Sequence, residues 1–206
     1  MQRHTLHLRF FRCCTRSSLL LAAVTLLATA PVQPALGAGA QQSQATLQLN
    51  QTSAEQTLEI YQTIPGLTSQ QLEYGKTTIP RMNYNAQRIL RKICGLPGVT
   101  FEHVKQTIDI LSRERFTFEQ VQTFEAFASM NTVDIKLGMS SFATLKEMGF
   151  EAGRAFRKYV GMQGVTAAMA MPMIQTFNNM NDVNNRAAQA FFAVKGMRID
   201  LAQKGM

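Results

Sequence analysis

Cys94 and His103 are the pair of side chains best suited to nucleophilic chemistry, a thiol and an imidazole nine residues apart across a Gly/Pro turn. Such a couple works when the imidazole takes the thiol proton and leaves a thiolate. Three methionines, Met169, Met171 and Met173, alternate around Pro172. Thioethers are soft ligands for Cu(I), and a helix broken at the proline would let the three sulfurs converge. Residues 81–115 hold seven cations, Arg81, Arg88, Arg91, Lys92, Lys105, Arg113 and Arg115, against three acids, a balance suited to phosphate contacts. Glu102 and Glu119 close two similar tripeptides, Thr100-Phe101-Glu102 and Thr117-Phe118-Glu119, each two residues past a threonine of helix-capping type. Negative charge there favours the helix dipole, which is a structural use. There is no His-Glu-x-x-His and no cysteine pair for zinc after the N-terminal segment.

What positions these groups is a repeat. Arg91-Lys92-Ile93-Cys94-Gly95-Leu96-Pro97-Gly98-Val99-Thr100 returns ungapped as Arg157-Lys158-Tyr159-Val160-Gly161-Met162-Gln163-Gly164-Val165-Thr166. Weaker versions stand at Ile64-Pro65-Gly66-Leu67-Thr68 and Met130-Asn131-Thr132-Val133-Asp134. Their apolar anchors, Leu67, Val99, Val133 and Val165, are 32, 34 and 32 residues apart. A period of this size predicts small helix-turn-helix units, each unable to bury its apolar face alone. Within the repeat Cys94 aligns with Val160 and His103 with Met169, so both fall in columns that are largely apolar. The expectation is a buried cysteine, no catalytic residue and no cofactor.

The residue after each anchor is Thr68, Thr100, Asp134 or Thr166, all able to cap a helix start. Apolar residues follow on one helical face: Leu72, Val104 and Ala170, then Ile108, Phe142 and Ile174, then Ile79, Leu111, Leu145 and Phe177. Lys76 and Gly138 interrupt the stripe. Second helices are predicted near 83–94, 117–128, 150–160 and 182–204, with Leu90/Ile93, Phe124/Phe127 and Phe156/Tyr159 as apolar pairs near their ends. Gly95, Ser129 and Gly161 then stand where a left-handed residue would stop each helix. No segment alternates with period two. The expected fold is all-α, short amphipathic helices in about four helix-turn-helix repeats of period 32–34, as a compact bundle or a short solenoid.

Leu96-Pro97-Gly98-Val99 between two amphipathic helices resembles the hairpin of helix-hairpin-helix modules, and Ile64-Pro65-Gly66-Leu67 resembles a second copy. The resemblance implies DNA binding through backbone N–H groups of the turn, with Arg88, Arg91, Lys92, Gly98, Thr100 and Lys105 as the contacting residues. The pattern departs from the family where Thr68 or Thr100 replaces the second glycine and Gln163 replaces Pro97. The phenylalanines have core-like spacing, so no stacking platform for bases is expected.

The first 40 residues read as a cleaved secretory signal: Arg3, Arg9, Arg12 and Arg16 without an acid, an apolar run from Leu19 to Ala30, then small residues to Ala40. The run is too short for a membrane span of roughly 20 residues. Those four arginines supply half of the net charge of +8, leaving 17 basic against 13 acidic residues. Cys94 is the one cysteine after the signal, so packing, not a disulfide, must stabilise the domain. Residues 41–51 are Gln-rich and uncharged and read as a disordered leader, with a first helix starting near Thr52 or Ser53 and Glu55/Gln56 closing a capping box. Asn50-Gln51-Thr52 is a glycosylation sequon. Residues 52–206 form one all-α domain. The functional expectation is an exported, non-enzymatic scaffold of the envelope that binds a protein partner, with DNA binding and Cu(I) binding by Met169, Met171 and Met173 as alternatives.

Overall fold

Most helix starts here are set by side chains that bond the first free backbone N–H groups. In a computed structural model, the backbone is described for residues 38–194 and side chains for residues 46–194. Residues 1–37 of the segment read as a signal, and the tail beyond 194, lie outside the described residues. Nine α-helices and one short 3-10 turn (Ile79–Arg81) occur among the described residues, with no strand. They are α1 (Ala38–Tyr61), α2 (Ser69–Thr78), α3 (Tyr84–Cys94), α4 (Phe101–Arg113), α5 (Phe118–Ala128), α6 (Ile135–Lys146), α7 (Phe150–Val160), α8 (Ala167–Asn179) and α9 (Asp182–Phe192). Thr68, Thr100, Asp134 and Thr166 are the N-caps of α2, α4, α6 and α8. Asn83, Thr117, Gly149 and Asn181 hold the same place before α3, α5, α7 and α9.

The turns differ from expectation in one respect. Gly95, Ser129 and Gly161 keep right-handed φ values of −87°, −86° and −77°. The left-handed residue comes three positions later, at Gly98 (φ 79°) and Gly164 (φ 87°), and likewise at Gly66 (φ 78°). The helix therefore winds through one more turn before the chain reverses, and the glycine sits just before the apolar anchor.

α1, α3, α5, α7 and α9 pack each against the next, and α3–α4, α5–α6 and α7–α8 pair across the turns. Every substantial contact joins helices adjacent or next but one in the chain, so the helices stack in chain order. The turns stack too. The Ile135 N–H donates to the Pro97 carbonyl (3.0 Å), and the Ala167 N–H donates to Thr132 Oγ1 (2.8 Å). The expected stripe is buried at Val104, Ile108, Leu111, Phe142, Leu145, Ala170, Ile174 and Phe177. The paired residues near the second-helix ends, Leu90/Ile93, Phe124/Phe127 and Phe156/Tyr159, are buried as well. Edge-to-face contacts link Phe156 to Phe177 (6.3 Å) and Tyr159 to Phe192 (5.5 Å), joining α7, α8 and α9. Gly138, which interrupts the apolar stripe, lets α6 approach Leu96: a Cβ there would lie 2.4 Å from Leu96 Cδ1.

The first helix starts at Ala38, not near Thr52, so residues 41–51 are helical instead of a disordered leader. Ala and Gln are good helix formers, and the segment propagates a helix whose second half docks on α3. Thr52 and Ser53 are consequently interior residues, Thr52 Oγ1 donating to the Gln48 carbonyl and Ser53 buried. Asn50 of the sequon lies half-buried within α1. At the other end of α1 the buried Tyr61 donates its hydroxyl to the Gln71 carbonyl at 2.5 Å and lies flat against Gly75 of α2. A Cβ on Gly75 would fall 2.2 Å from Tyr61 Cε1. Gly75→Ala should therefore lower stability by about 1–3 kcal/mol, the usual cost of overpacking, read as a lower urea midpoint with unchanged m-value. An unchanged midpoint would refute the close α1–α2 packing.

Candidate functional site

α3 and α5 run in the same direction: Asn85 Nδ2 at the start of α3 donates to the Phe116 carbonyl just before α5 (2.8 Å), and Lys92 Nζ near the end of α3 donates to Ser129 Oγ after α5 (2.9 Å). Equivalent residues thus line up across the row. Tyr84, Phe118 and Phe150 are the first residues of α3, α5 and α7. An N1 side chain next to a cap points away from the following turn, and Phe118 and Phe150 remain 52% and 53% exposed. Arg88 and Arg154 stand one turn further along. The Arg88 guanidinium lies 5.6 Å from the Tyr84 ring and 5.0 Å from Phe118, and that of Arg154 lies 5.3 Å from Phe150. Not all the phenylalanines are core residues: Arg88 and Arg154 share a column of the sequence, but the aromatic side of this row escaped the sequence reading. Its signal was the column Tyr84, Phe118, Phe150, each directly after a capping position.

Ion pairs tie the same row together. Arg88 makes a two-pronged contact with Glu125 of α5, Nε to Oε1 at 2.9 Å and Nη2 to Oε2. Arg157 of α7 reaches back to α5, pairing with Glu119 (2.6 Å) and donating to Thr123 Oγ1 (3.0 Å). Gln189 of α9 donates to the carboxylate of Glu151 (2.7 Å), and that bond together with Arg186 and Arg154 holds the Glu151 carboxyl below its usual range. Gly153 permits the α5–α7 approach, since a Cβ there would meet Thr123 Oγ1 at 2.7 Å.

The six residues predicted to meet nucleic acid do not gather on one surface. Arg88 and Lys92 line a shallow depression with Arg157, whereas Arg91 is turned to Gln56 of α1. Lys105 is exposed on α4, in the other row of helices. Gly98 and Thr100 are exposed at the turn, where the Thr100 N–H is taken by His103 Nδ1 (3.2 Å). His103 is therefore the third residue of a capping pair, with its ring 2.8 Å from Thr100 Oγ1. Glu102 lies in the first turn of α4 and Glu119 in that of α5, so they form no carboxylate pair with each other.

α8 continues through Pro172, and the expected break is absent. On an unbroken helix Met169 and Met173 share a side, while Met171 lies on the opposite flank. Met171 and Met173 pack against the core, so the helix does not bring the three sulfurs together. No cluster of three or more His, Cys, Asp or Glu side chains placed to hold a metal occurs among the described residues.

Cys94 is 3% exposed, and burial pushes its thiol up to about 12. It is a neutral apolar residue of the α3 end, as its alignment with Val160 implied. Tyr61 is also pushed up to about 12, by burial first and then by Cys94. No helix among the described residues is long and apolar enough to cross a membrane. No protein-family model matches the chain, no characterised protein matches it, and no solved structure matches it.

Two outcomes follow from this geometry. Arg88→Gln should cost about 2 kcal/mol, between the values for exposed and fully buried pairs. Glu125→Gln in that background should cost far less than it does alone, read by a double-mutant cycle in urea. Additive losses would mean that Arg88 is not committed to Glu125. For Cys94, the unfolded thiol ionises near pH 9 while the folded one does not, so the unfolded state releases the proton first. Stability should then fall from about pH 9 towards pH 12, by at most about 1.4 kcal/mol per pH unit from this thiol, and Cys94→Val should flatten the slope between pH 9 and 10, below the range where Tyr61 adds to it. Rapid native alkylation of Cys94 at pH 8 would contradict the burial.

Proposed function

We propose that this chain is an exported, non-enzymatic helical-repeat scaffold of the cell envelope that works by binding another protein. The observation that carries this reading is the aromatic–arginine row on α3, α5 and α7, in which Phe118, Phe150 and Arg154 are exposed and which inter-helix ion pairs tie together. Aromatic and arginine side chains supply most of the binding energy where proteins meet. The groups suited to covalent chemistry have structural employment: Cys94 is buried and His103 caps α4. Export rests on the arginine-led, apolar, small-residue sequence of residues 1–40.

A photo-crosslinking residue placed at Gln122 in cells should capture one protein in near-equal amount, and the same residue at Lys105 should not. Combining Phe118→Ala with Phe150→Ala should reduce that capture at least about tenfold, a loss typical of removing anchor residues. Both phenylalanines are half-exposed, so the melting temperature should hardly move. Equal capture from both rows, or capture that survives the double variant, would remove this face as the binding site.

A further inference from the structure

We infer that the face of α3, α5 and α7 is a docking groove for an extended acidic segment of a partner protein, an inference that rests on the protein-binding reading above. Lys92, Ala126 and Lys158 hold one position on three consecutive helices, and Arg88, Gln122 and Arg154 hold the position one turn earlier. α5 thus carries short or uncharged side chains where its neighbours carry cations. Beside it lies a shallow depression of about 440 Å³, lined by Arg88, Lys92, Gln122, Ala126 and Arg157 together with the acid Glu125.

Internal pairing leaves this groove positive. Its acids, Glu125 and Glu119, are taken by Arg88 and Arg157. Among the described residues Lys92 and Lys158 make no ion pair, Lys92 bonding only the neutral Ser129 hydroxyl. Both lysines also sit in the last turn of their helices, where the dipole favours them, and this accounts for their position without satisfying their charge. Carboxylates from outside would be complementary to both. Packed helices lie about 8–10 Å apart, so the two lysines stand roughly 16–20 Å apart across α5. Extended chain covers about 3.3 Å per residue, so about six residues span that distance.

An acidic peptide fits better than a nucleic acid. Phe118 and Phe150 stand at the start of their helices, two turns from Lys92 and Lys158 in the last turns, so no ring adjoins the unpaired lysines for a base to stack on. Two unpaired lysines would also release few counterions from a duplex, giving weak binding at physiological salt.

The test is fluorescence anisotropy on the full processed chain with a labelled peptide of about twelve residues, alternating Glu and Leu, long enough to cross the groove. The same peptide with Gln for Glu, and a short DNA duplex, are the comparison probes. The Glu peptide should bind, and the Gln peptide should bind at least about tenfold more weakly, with affinity falling as salt rises. Lys92→Glu with Lys158→Glu should weaken binding of the Glu peptide at least about tenfold, and Ala126→Glu, which puts a carboxylate on the floor, should do the same. Unchanged helical circular dichroism shows that the variants remain folded. Equal binding of both peptides, no loss in either variant, or tighter binding of the duplex would overturn the inference. If the Glu peptide is ignored while Phe118→Ala with Phe150→Ala still abolishes crosslinking in cells, the acidic segment is wrong and the protein-binding reading stands. If crosslinking is also unaffected, both fall.

Discussion

A pair of helices about a dozen residues long has one apolar face and too little surface to bury it alone, so each unit here is completed by its neighbour. The buried rings of Phe127, Phe156, Tyr159, Phe177 and Phe192 run from α5 through α9 without a gap. The same dependence shapes the turns. Pro97 gives its carbonyl to the first N–H of α6, and Thr132 gives its hydroxyl to the first N–H of α8, so each turn is a ledge for the next unit. Leu96 of one turn fills the space left by Gly138 in the following helix. Remove the neighbour and a turn loses both a hydrogen-bond partner and its apolar cover.

Stacking also decides what the charged residues do. Charges on α3, α5 and α7 that would be solvated on a lone helix fall opposite one another in the row, and the part-buried pairs Arg88–Glu125 and Arg157–Glu119 join three helices. Pairing is uneven because α5 carries two acids while α3 and α7 together carry six cations and one acid. On this face the surplus appears at Arg154, beside the Phe150 ring, and at Lys92 and Lys158 in the last turns of α3 and α7. The inter-helix pairs and the residual positive face thus have one origin.

Much of the fold was legible in the sequence because it depends on local chemistry. In the capping column, Thr68, Asp134 and Thr166 accept from N–H groups three residues away, and the Thr100 N–H donates to His103 three residues on, so none needs a distant partner. The burial of Cys94 could be read from Val160 because aligned columns share an environment. The candidate site was far less legible. Arg88 looked like a phosphate contact, but its partner Glu125 is 37 residues away. Phe118 and Phe101 follow threonines in the same tripeptide, yet Phe101 is covered by Tyr74 of α2 at 5.6 Å while Phe118 has open solvent on one side. Only the identity of the neighbouring helix separates the two.

Alone, the sequence determined the helical class, the capping residues and the apolar stripes, all set by interactions within about one helical turn. The tertiary structure decided where helix α1 begins, which glycine is left-handed, that α8 passes through Pro172, and which cations are already paired. The physical reason is range. A cap or an amphipathic stripe is satisfied by residues three or four positions away, whereas an ion pair, an exposed ring or a close helix approach depends on what the next unit places opposite it, some 32–38 residues along the chain.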